Sequence, residues 1–432
     1  MKITAILIAL SFVKIGFAAD SETDRLKPAL DAMTADGLLA HIKMLASDEF
    51  EGRAPGSKGE ELSIKYIADQ FKTIGLIPGN PDGSYFQEVP LAGITSAPTA
   101  SFVVGGQTTT LNYPDDYVAS SARLQEQIKV DNSDIVFVGY GIVAPEYGWN
   151  DYKDVDVRGK TLLMLINDPP VPDAKDPAKL EGSDPKWKDE YVIFSAHWDH
   201  LGKHPELSGD QIFNGAVDNA SGVAAVISLG RAFTKVNPSP KRSLLFMATT
   251  AEEAGLLGAK YYALHPLYPL MKTLADINID SMNVWGKTRD VEDTSFGMST
   301  LDDALAKRAQ AQGRIAIPNP RPEKGNIYRA DNFEFAKVGV PALYIGKNEH
   351  LLSRPADGPL RGDEFDLHDY HQVSDEVKPD WDLSGAVQDA QLLFQVGYEA
   401  SNGDKYPEWK PGNEFKPQRD AMMKSDPIDP RR

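Results

Sequence analysis

The apolar positions change their period along the chain. Leu26, Leu30, Met33 and Leu38 fall at helical spacing, so a short amphipathic helix is expected within residues 21–40. Leu62, Tyr66, Ile67 and Ile74 give a second helix, stopped by Gly75 and Pro78. The polar, breaker-rich stretch Ser47 to Gly56 reads as the loop between them. Over residues 85–168 the pattern shortens to β-branched runs such as Ser101 to Val104, Ile135 to Val138 and Thr161 to Ile166, separated by Gly and Asn turns. A stretch rich in Pro and charge, 167–190, reads as a junction. From Tyr191 a regular alternation sets in. Strands are expected at Tyr191 to Ser195, Ser243 to Ala248, Leu274 to Ile279 and Ala342 to Ile345, and helices from about Gly222, from about Gly255, near 300–312 and near 384–399. That rhythm implies an α/β fold: an open, mostly parallel central sheet with helices on both faces, plus a small β-rich insert. Residues 401–432 are polar and Pro-bearing and read as a surface tail.

Composition narrows the class. With 432 residues, 41% hydrophobic and 25% charged, the chain suits a soluble globular protein of one large domain or two ordinary ones. Its 63 acidic against 45 basic side chains give a net charge of −18, which repels nucleic-acid phosphates and anionic lipid and biases binding toward cationic groups such as a peptide's free amine. There are no cysteines, which excludes disulfides, thiolate ligands and cysteine nucleophiles. Lys2, the apolar run Ile3 to Val13 and Gly16-Phe17-Ala18 read as a secretory signal peptide over 1–19, too short for an anchor. The expected place of the mature chain is periplasmic or extracellular, without stable membrane insertion.

The chemistry gathers at strand ends. Open α/β sheets place ligands beyond the carboxyl ends of their strands. Here three apolar strands run into His197-Trp198-Asp199-His200, Glu252-Glu253 and Asp280, while two loops supply Asp218 and His371. Each signal alone has an ordinary explanation: a helix cap for the Asp, a dipole-favoured charge for the Glu pair. Their conjunction at one sheet edge does not. In extended backbone i and i+2 share a face, so Asp199 is expected to hold the ring of His197. Adjacent carboxylates point apart, so one of Glu252 and Glu253 can bind metal while the other holds a water. Asp218, in a Gly-flanked loop, suits a bridge between two ions. Two His and three carboxylates fit Zn2+, with Mn2+ or Co2+ as possible substitutes.

These segments, with Asn214 to Asn219, Ala251 to Gly255, Asp280-Ser281-Met282 and Tyr370 to Asp375, resemble the bacterial di-zinc aminopeptidases, the family that also contains glutamate carboxypeptidase, the glutaminyl cyclases and the transferrin receptor. The resemblance spans nearly all of residues 35–400. It implies that His197 and Asp280 bind one zinc, Glu253 and His371 the other, that Asp218 bridges them, and that the Asp218-Asn219 peptide bond is cis. It makes Glu252 the general base acting on zinc-bound hydroxide, Asp199 and Asp375 orienting residues, and Tyr370 an aid to the oxyanion. His200 reads as a pocket wall or as a residue that supports a ligand from behind, and His368 competes with His371 for the ligand role. His41, His204, His265 and His350 read as surface or packing residues.

The Asp48 to Gly56 loop and Asp331 to Tyr344 look like members carrying a protease-associated insert, here shortened: only the Pro-rich stretch 168–177 separates segments that flank most of that domain in relatives. The expected division is 20–90 and 186–400 for the catalytic domain, 91–185 for a truncated insert of three to six strands, and 401–432 for the tail, with 168–188 exposed and mobile. The expected activity is peptide-bond hydrolysis that releases N-terminal amino acids from peptide substrates. A carboxypeptidase or amidohydrolase on the same site, a binding scaffold and an insert-deleted copy of impaired activity remain as alternatives, and the oligomeric state is open.

Overall fold

The structure is a computed structural model that describes residues 22–424, apart from 94–96, 114–115, 118, 120–124, 126, 139–142, 145–148, 154, 165–188, 348–349 and 356–360. The signal-peptide segment 1–19 and the stretch 168–188 therefore lie outside the described residues. The chain divides into two compact units: Met1–Pro78 with Lys179–Pro320 and Ala330–Arg432, and Gly79–Ala178 with Arg321–Arg329.

In the first unit four parallel strands lie in the order Ser243–Thr249, Tyr191–His197, Thr273–Asn278, Ala342–Tyr344. The Tyr191–His197 strand is buried from Val192 onward because helices cover both of its faces. Successive side chains alternate between those faces. Ile193 packs with Ala259, Tyr262 and Phe335 from the helices Leu257–Leu264 and Asn332–Lys337. Phe194 lies on the other face against Phe233, and the Phe233 ring packs at a tilt against Phe394 with centroids 4.3 Å apart, bringing in the helices Gly222–Phe233 and Ser384–Asn402. From Tyr191–His197 the chain crosses to one side for Ser243–Thr249 and then to the other for Thr273–Asn278. Its carboxyl end, where His197 sits, is thus a topological switch point, the crevice where such sheets bind ligands.

Local chemistry sets the helix limits. The single helix expected within 21–40 is two, Glu22–Asp31 and Ala35–Leu45, because Thr34 caps the second: its hydroxyl accepts the Gly37 N–H at 3.1 Å. Ser57 caps Lys58–Thr73, and Ser299 with Asp302 forms a capping box at Thr300–Ala311. A parallel pair, Asp290–Asp293 with Ile315–Pro318, was not expected.

The C-terminal segment departs from the sequence expectation. Residues 401–424 are not a polar surface tail: Tyr406, Trp409 and Phe415 are buried, and the last two join Ala336 and Ala342 in one apolar cluster. A few well-spaced aromatics anchor an otherwise polar stretch, since each buries a large apolar area.

Among the described residues of the second unit six short strands form three pairs: Ala100–Val104 with Gln107–Leu111 and Val143–Ala144 with Trp149–Asn150, both antiparallel, and Ile135–Phe137 with Thr161–Leu163, parallel. Among the described residues no helix is long and apolar enough to cross a membrane.

Candidate metal centre

The turn after each core strand carries an ionisable group, and the backbone is bent hard to present it. Ala251, Ser281 and His371 are non-glycine residues at φ of 52°, 69° and 56°; Ser281 follows the predicted ligand Asp280, His371 is itself one, and Ala251 precedes the predicted base Glu252. Such conformations cost of order 1–3 kcal/mol and persist where the surroundings fix them. The Asp218-Asn219 peptide is cis. Gly215 (φ 56°) makes that loop possible, since a Cβ there would lie 2.2 Å from the Asp218 carbonyl oxygen.

His197, Asp218, Glu252, Glu253, Asp280 and His371 come together at the end of the sheet. The Asp218 carboxylate lies between two imidazoles: His197 Nε2 is 3.2 Å from Oδ1, and His371 Nε2 is 3.2 Å from Oδ2. Asp280 Oδ1 is 3.3 Å from His197 Nε2, and Glu253 Oε2 is 3.0 Å from His371 Nε2. Glu252 Oε2 stands 4.0 Å from His197 Nε2. Asp375 accepts the backbone N–H groups of Val217 and Asp218, at 2.9 and 3.0 Å. The amide of Asn219 donates to the Ile279 carbonyl, and its oxygen accepts the Gly222 and Ser281 N–H groups, which fixes the Asp218 loop against the Asp280 turn.

Asp199 acts differently from the sequence expectation. Its carboxylate stays 3.9 Å from the His197 ring, whose Nδ1–H donates instead to the Asp199 backbone carbonyl at 3.1 Å. The strand ends at His197, so residues 197 and 199 do not share a face as they would in extended backbone. The freed carboxylate accepts the backbone N–H groups of Glu252 and Glu253, at 3.2 and 3.4 Å, and so sets the glutamate turn. The Tyr370 ring stacks on His371 with centroids 3.9 Å apart.

Three more residues take part near the centre, and for two of them, Asp331 and Tyr344, the sequence reading gives no individual role. His200 Nδ1 bonds Glu253 Oε1 at 2.6 Å. Asp331, fully buried, accepts the Thr249 hydroxyl. Tyr344 faces the Asp280 carbonyl. Their partners are far off in sequence; the position of His200 three residues after the predicted ligand His197 is the one sequence signal. His368 is exposed, and the other histidines bond elsewhere, His41 to Tyr66 and His350 to Asp290.

The electrostatics are those of a crowded acidic cluster. Burial pushes Glu252 up to about 10, aided by Asp280, Asp331 and Glu253 and opposed by His197. Burial opposes the protonation of His371, yet Asp218 and Glu253 outweigh it and hold the ring at about 10. His197 is likewise held well above its usual range, against burial, by Glu252 and Asp280. Asp218 is held well below the carboxylate range because its two histidines overcome burial. Such a cluster calls for positive charge. The residues fit a metal: His197, Asp218 and Asp280 form one candidate cation group, His200, Asp218 and Glu253 another, and His197, Glu252 and Glu253 a third. Imidazole with carboxylate is a zinc-type donor set. Beside the centre, a cavity of about 360 Å3 shares Val217 and Asp375 and is walled by Trp285, Phe365 and Trp381.

Comparison with known proteins agrees with this chemistry. A probable zinc metalloprotease of Pyrenophora teres f. teres (strain 0-1) is 38% identical over 133 residues, 31% of this chain and 26% of that protein. A vacuolar membrane protease of Coccidioides posadasii (strain C735) is 30% identical over 203 residues, 44% of this chain and 17% of that protein. The matched stretches thus span about a quarter or less of these relatives' own length. Among solved structures, the aminopeptidase from Aneurinibacillus sp. strain AM-1 shares the fold, with a TM-score of 0.51 at 17% identity, covering 87% of this chain and 96% of that one. The model of peptidase family M28 matches residues 177–395, just over half of the chain and all the strands that carry the centre, and on that ground the chain belongs to peptidase family M28.

Proposed function

We propose that this chain is an exported di-zinc metallopeptidase that removes amino acids from the N-termini of peptides. The observation that carries the reading is the Asp218 carboxylate, with one imidazole 3.2 Å from each of its oxygens. A carboxylate so placed can bridge two cations. His197 and Asp280 complete one ion's set, and His371 and Glu253 the other's. When bound, the zinc pair would lower the pKa of a water and polarise the scissile carbonyl.

The chain's own groups do the rest. Glu252 stands beside the centre, its backbone N–H held by Asp199 at 3.2 Å. Its carboxylate takes a proton from the attacking water and delivers it to the leaving amine as the C–N bond breaks. Asp375 and Asn219 keep the Asp218 turn in place, and Tyr370, stacked on His371, is the proposed aid to the developing oxyanion. The Trp285, Phe365 and Trp381 walls offer room for a substrate side chain. Net charge of −18 favours an approaching free amine. Export takes its support from Lys2, the Ile3 to Val13 run and Gly16-Phe17-Ala18.

The test is a substrate panel for the purified, zinc-loaded protein: aminoacyl amides, N-blocked peptides and peptides with a free C-terminus. Turnover confined to substrates with a free amine supports the aminopeptidase reading. Turnover of N-blocked peptides from the C-terminus overturns it in favour of a carboxypeptidase. Sequencing the N-terminus of the protein recovered outside the cytoplasm tests export.

A further inference from the structure

Arg53 sits in the Asp48–Arg53 turn, whose one large apolar residue is Phe50, yet it has no solvent exposure at all. Among the described residues it is the largest side chain so buried, and no carboxylate pairs with it. Its guanidinium is satisfied by backbone carbonyls from three separate segments. Nε donates to Trp198 at 2.8 Å, Nη1 to Leu45 at 2.8 Å and Asn214 at 2.5 Å, and Nη2 to Gly215 at 2.9 Å. Trp198 lies between His197 and Asp199, and Gly215 begins the turn that ends in Asp218. One planar fork thus spans the two turns that present His197 and Asp218.

Other contacts tighten the same frame. The His200 N–H donates to the Arg53 carbonyl at 3.4 Å. The Asn214 amide donates to the Ala46 carbonyl and to Asp48, both at 3.0 Å. Gly52 is pressed so close that a Cβ there would lie 2.4 Å from the Gly202 carbonyl oxygen and 2.7 Å from that of Phe213. Burying a cation is unfavourable unless something offsets it. Here Asp375, Asp218, Asp199 and Glu253 supply a favourable field while burial lowers the guanidinium to about 10. For packing alone an apolar side chain would serve, without the desolvation of a charge.

We propose that Arg53 is a positioning residue of the metal centre, fixing the distance between the His197 turn and the Asp218 turn and so the affinity and geometry with which the centre takes up divalent cations. The proposal rests on reading the centre as a metal site. A lysine keeps the charge but has a compact head that cannot span carbonyls of three segments.

Cobalt(II) is the probe, because its visible absorption reports ligand geometry. Full-length wild type, Arg53→Lys and Arg53→Met are titrated with cobalt against a competing chelator, with far-UV circular dichroism as the check on folding. Arg53→Lys is expected to fold, to bind cobalt about 10–100-fold more weakly, the range for lost outer supports of metal ligands, and to show a shifted visible band. Arg53→Met is expected to lose at least as much. A folded Arg53→Lys with wild-type affinity and spectrum overturns the proposal and leaves Arg53 a packing residue. Should both variants fail to fold, Asn214→Ala loosens the same frame while keeping the guanidinium, and unaltered cobalt affinity and spectrum there overturn the proposal equally. Absence of cobalt uptake by the wild type would instead sink the metal-site reading, and this proposal with it.

Discussion

Glu252 and Glu253 are neighbours in sequence but face different partners. Glu253 is held between His371, at 3.0 Å, and His200, at 2.6 Å, whereas Glu252 has only a 4.0 Å approach to His197. A residue bonded on both oxygens is placed as a ligand; a looser one is placed to move a proton. Glu252→Gln is therefore expected to keep both ions while turnover falls about 10²–10⁴-fold, the usual loss for a general base. Glu253→Gln should bind one ion less tightly. Metal analysis of the two variants reverses the assignment if Glu252→Gln is the one that loses zinc. Away from the centre, Asp293 gives a test of stability against pH. It is buried beside Asp302, whose carboxylate has the Lys410 ammonium at 3.7 Å, and its Oδ2 has no hydrogen-bond partner. Burial, then Asp302, raises it to about 8, against the bonds from Ser295. A carboxyl raised in the folded state binds its proton more tightly there than in the unfolded chain, so its contribution is favourable at low pH and is lost as pH rises from about 4 toward 8. Asp293→Asn should thus raise stability more at pH 8 than at pH 5. Urea unfolding at both values checks it, and an equal shift at the two would count against it.

At the scale of elements, the seam between the Ser384–Asn402 helix and the central strand is set by one glycine. A Cβ on Gly397 would lie 2.2 Å from the ring of Phe194. Propensity alone would make Gly397→Ala stabilising by up to about 1 kcal/mol. Overpacking a close seam costs typically about 1–3 kcal/mol, and the ring is wedged against Phe233 and Phe246. The packing term should win, so the urea midpoint of Gly397→Ala is expected to fall; a rise would mean that Phe194 moves aside freely. Elements of this kind were legible in the sequence where burial is continuous. Val192, Ile193 and Phe194 form an apolar run because helices cover both faces of their strand, and the ionisable groups stand at strand ends because the sheet's geometry puts ligands there. What stayed hidden depends on partners far along the chain. Arg53 reads as a solvated loop charge, since its acceptors Trp198 and Asn214 lie 145 and 161 residues away. Asp199 turned out to hold the glutamate turn because the strand stops two residues earlier than an extended reading assumes. Trp409 and Phe415 read as exposed in a largely polar stretch, although Ala336 and Ala342 pack against them in space.

For the whole molecule the acidic balance and the metal centre bear on one another. The chain carries a net charge of −18, and within the core Asp199, Asp218, Glu252, Glu253, Asp280, Asp331 and Asp375 converge on one region, with Arg53, His197, His200, Lys347 and His371 among the opposing groups. Like charges so placed strain the folded state, and in the unfolded chain they separate into water. Divalent cations would relieve that strain in the folded state alone, since the ligands come from segments as distant as His197 and His371. Binding confined to the folded state stabilises by RT ln(1 + [L]/Kd), about 4 kcal/mol at a thousandfold excess over Kd. In a chain of this size that corresponds to a rise of several degrees in melting temperature. The protein stripped by a chelator should therefore melt several degrees below the zinc-loaded form, and added zinc should restore the difference. Two controls sharpen the reading. Asp218→Asn, which removes charge from the proposed bridge, should raise the melting point of the stripped protein or leave it level while abolishing most of the gain from zinc. Magnesium, which prefers all-oxygen sites and keeps its waters, should restore little. If chelation left the melting point of the wild type unchanged, the convergence of these carboxylates would be held by protons and hydrogen bonds alone, and the centre would not be a place where this fold stores binding energy for metal.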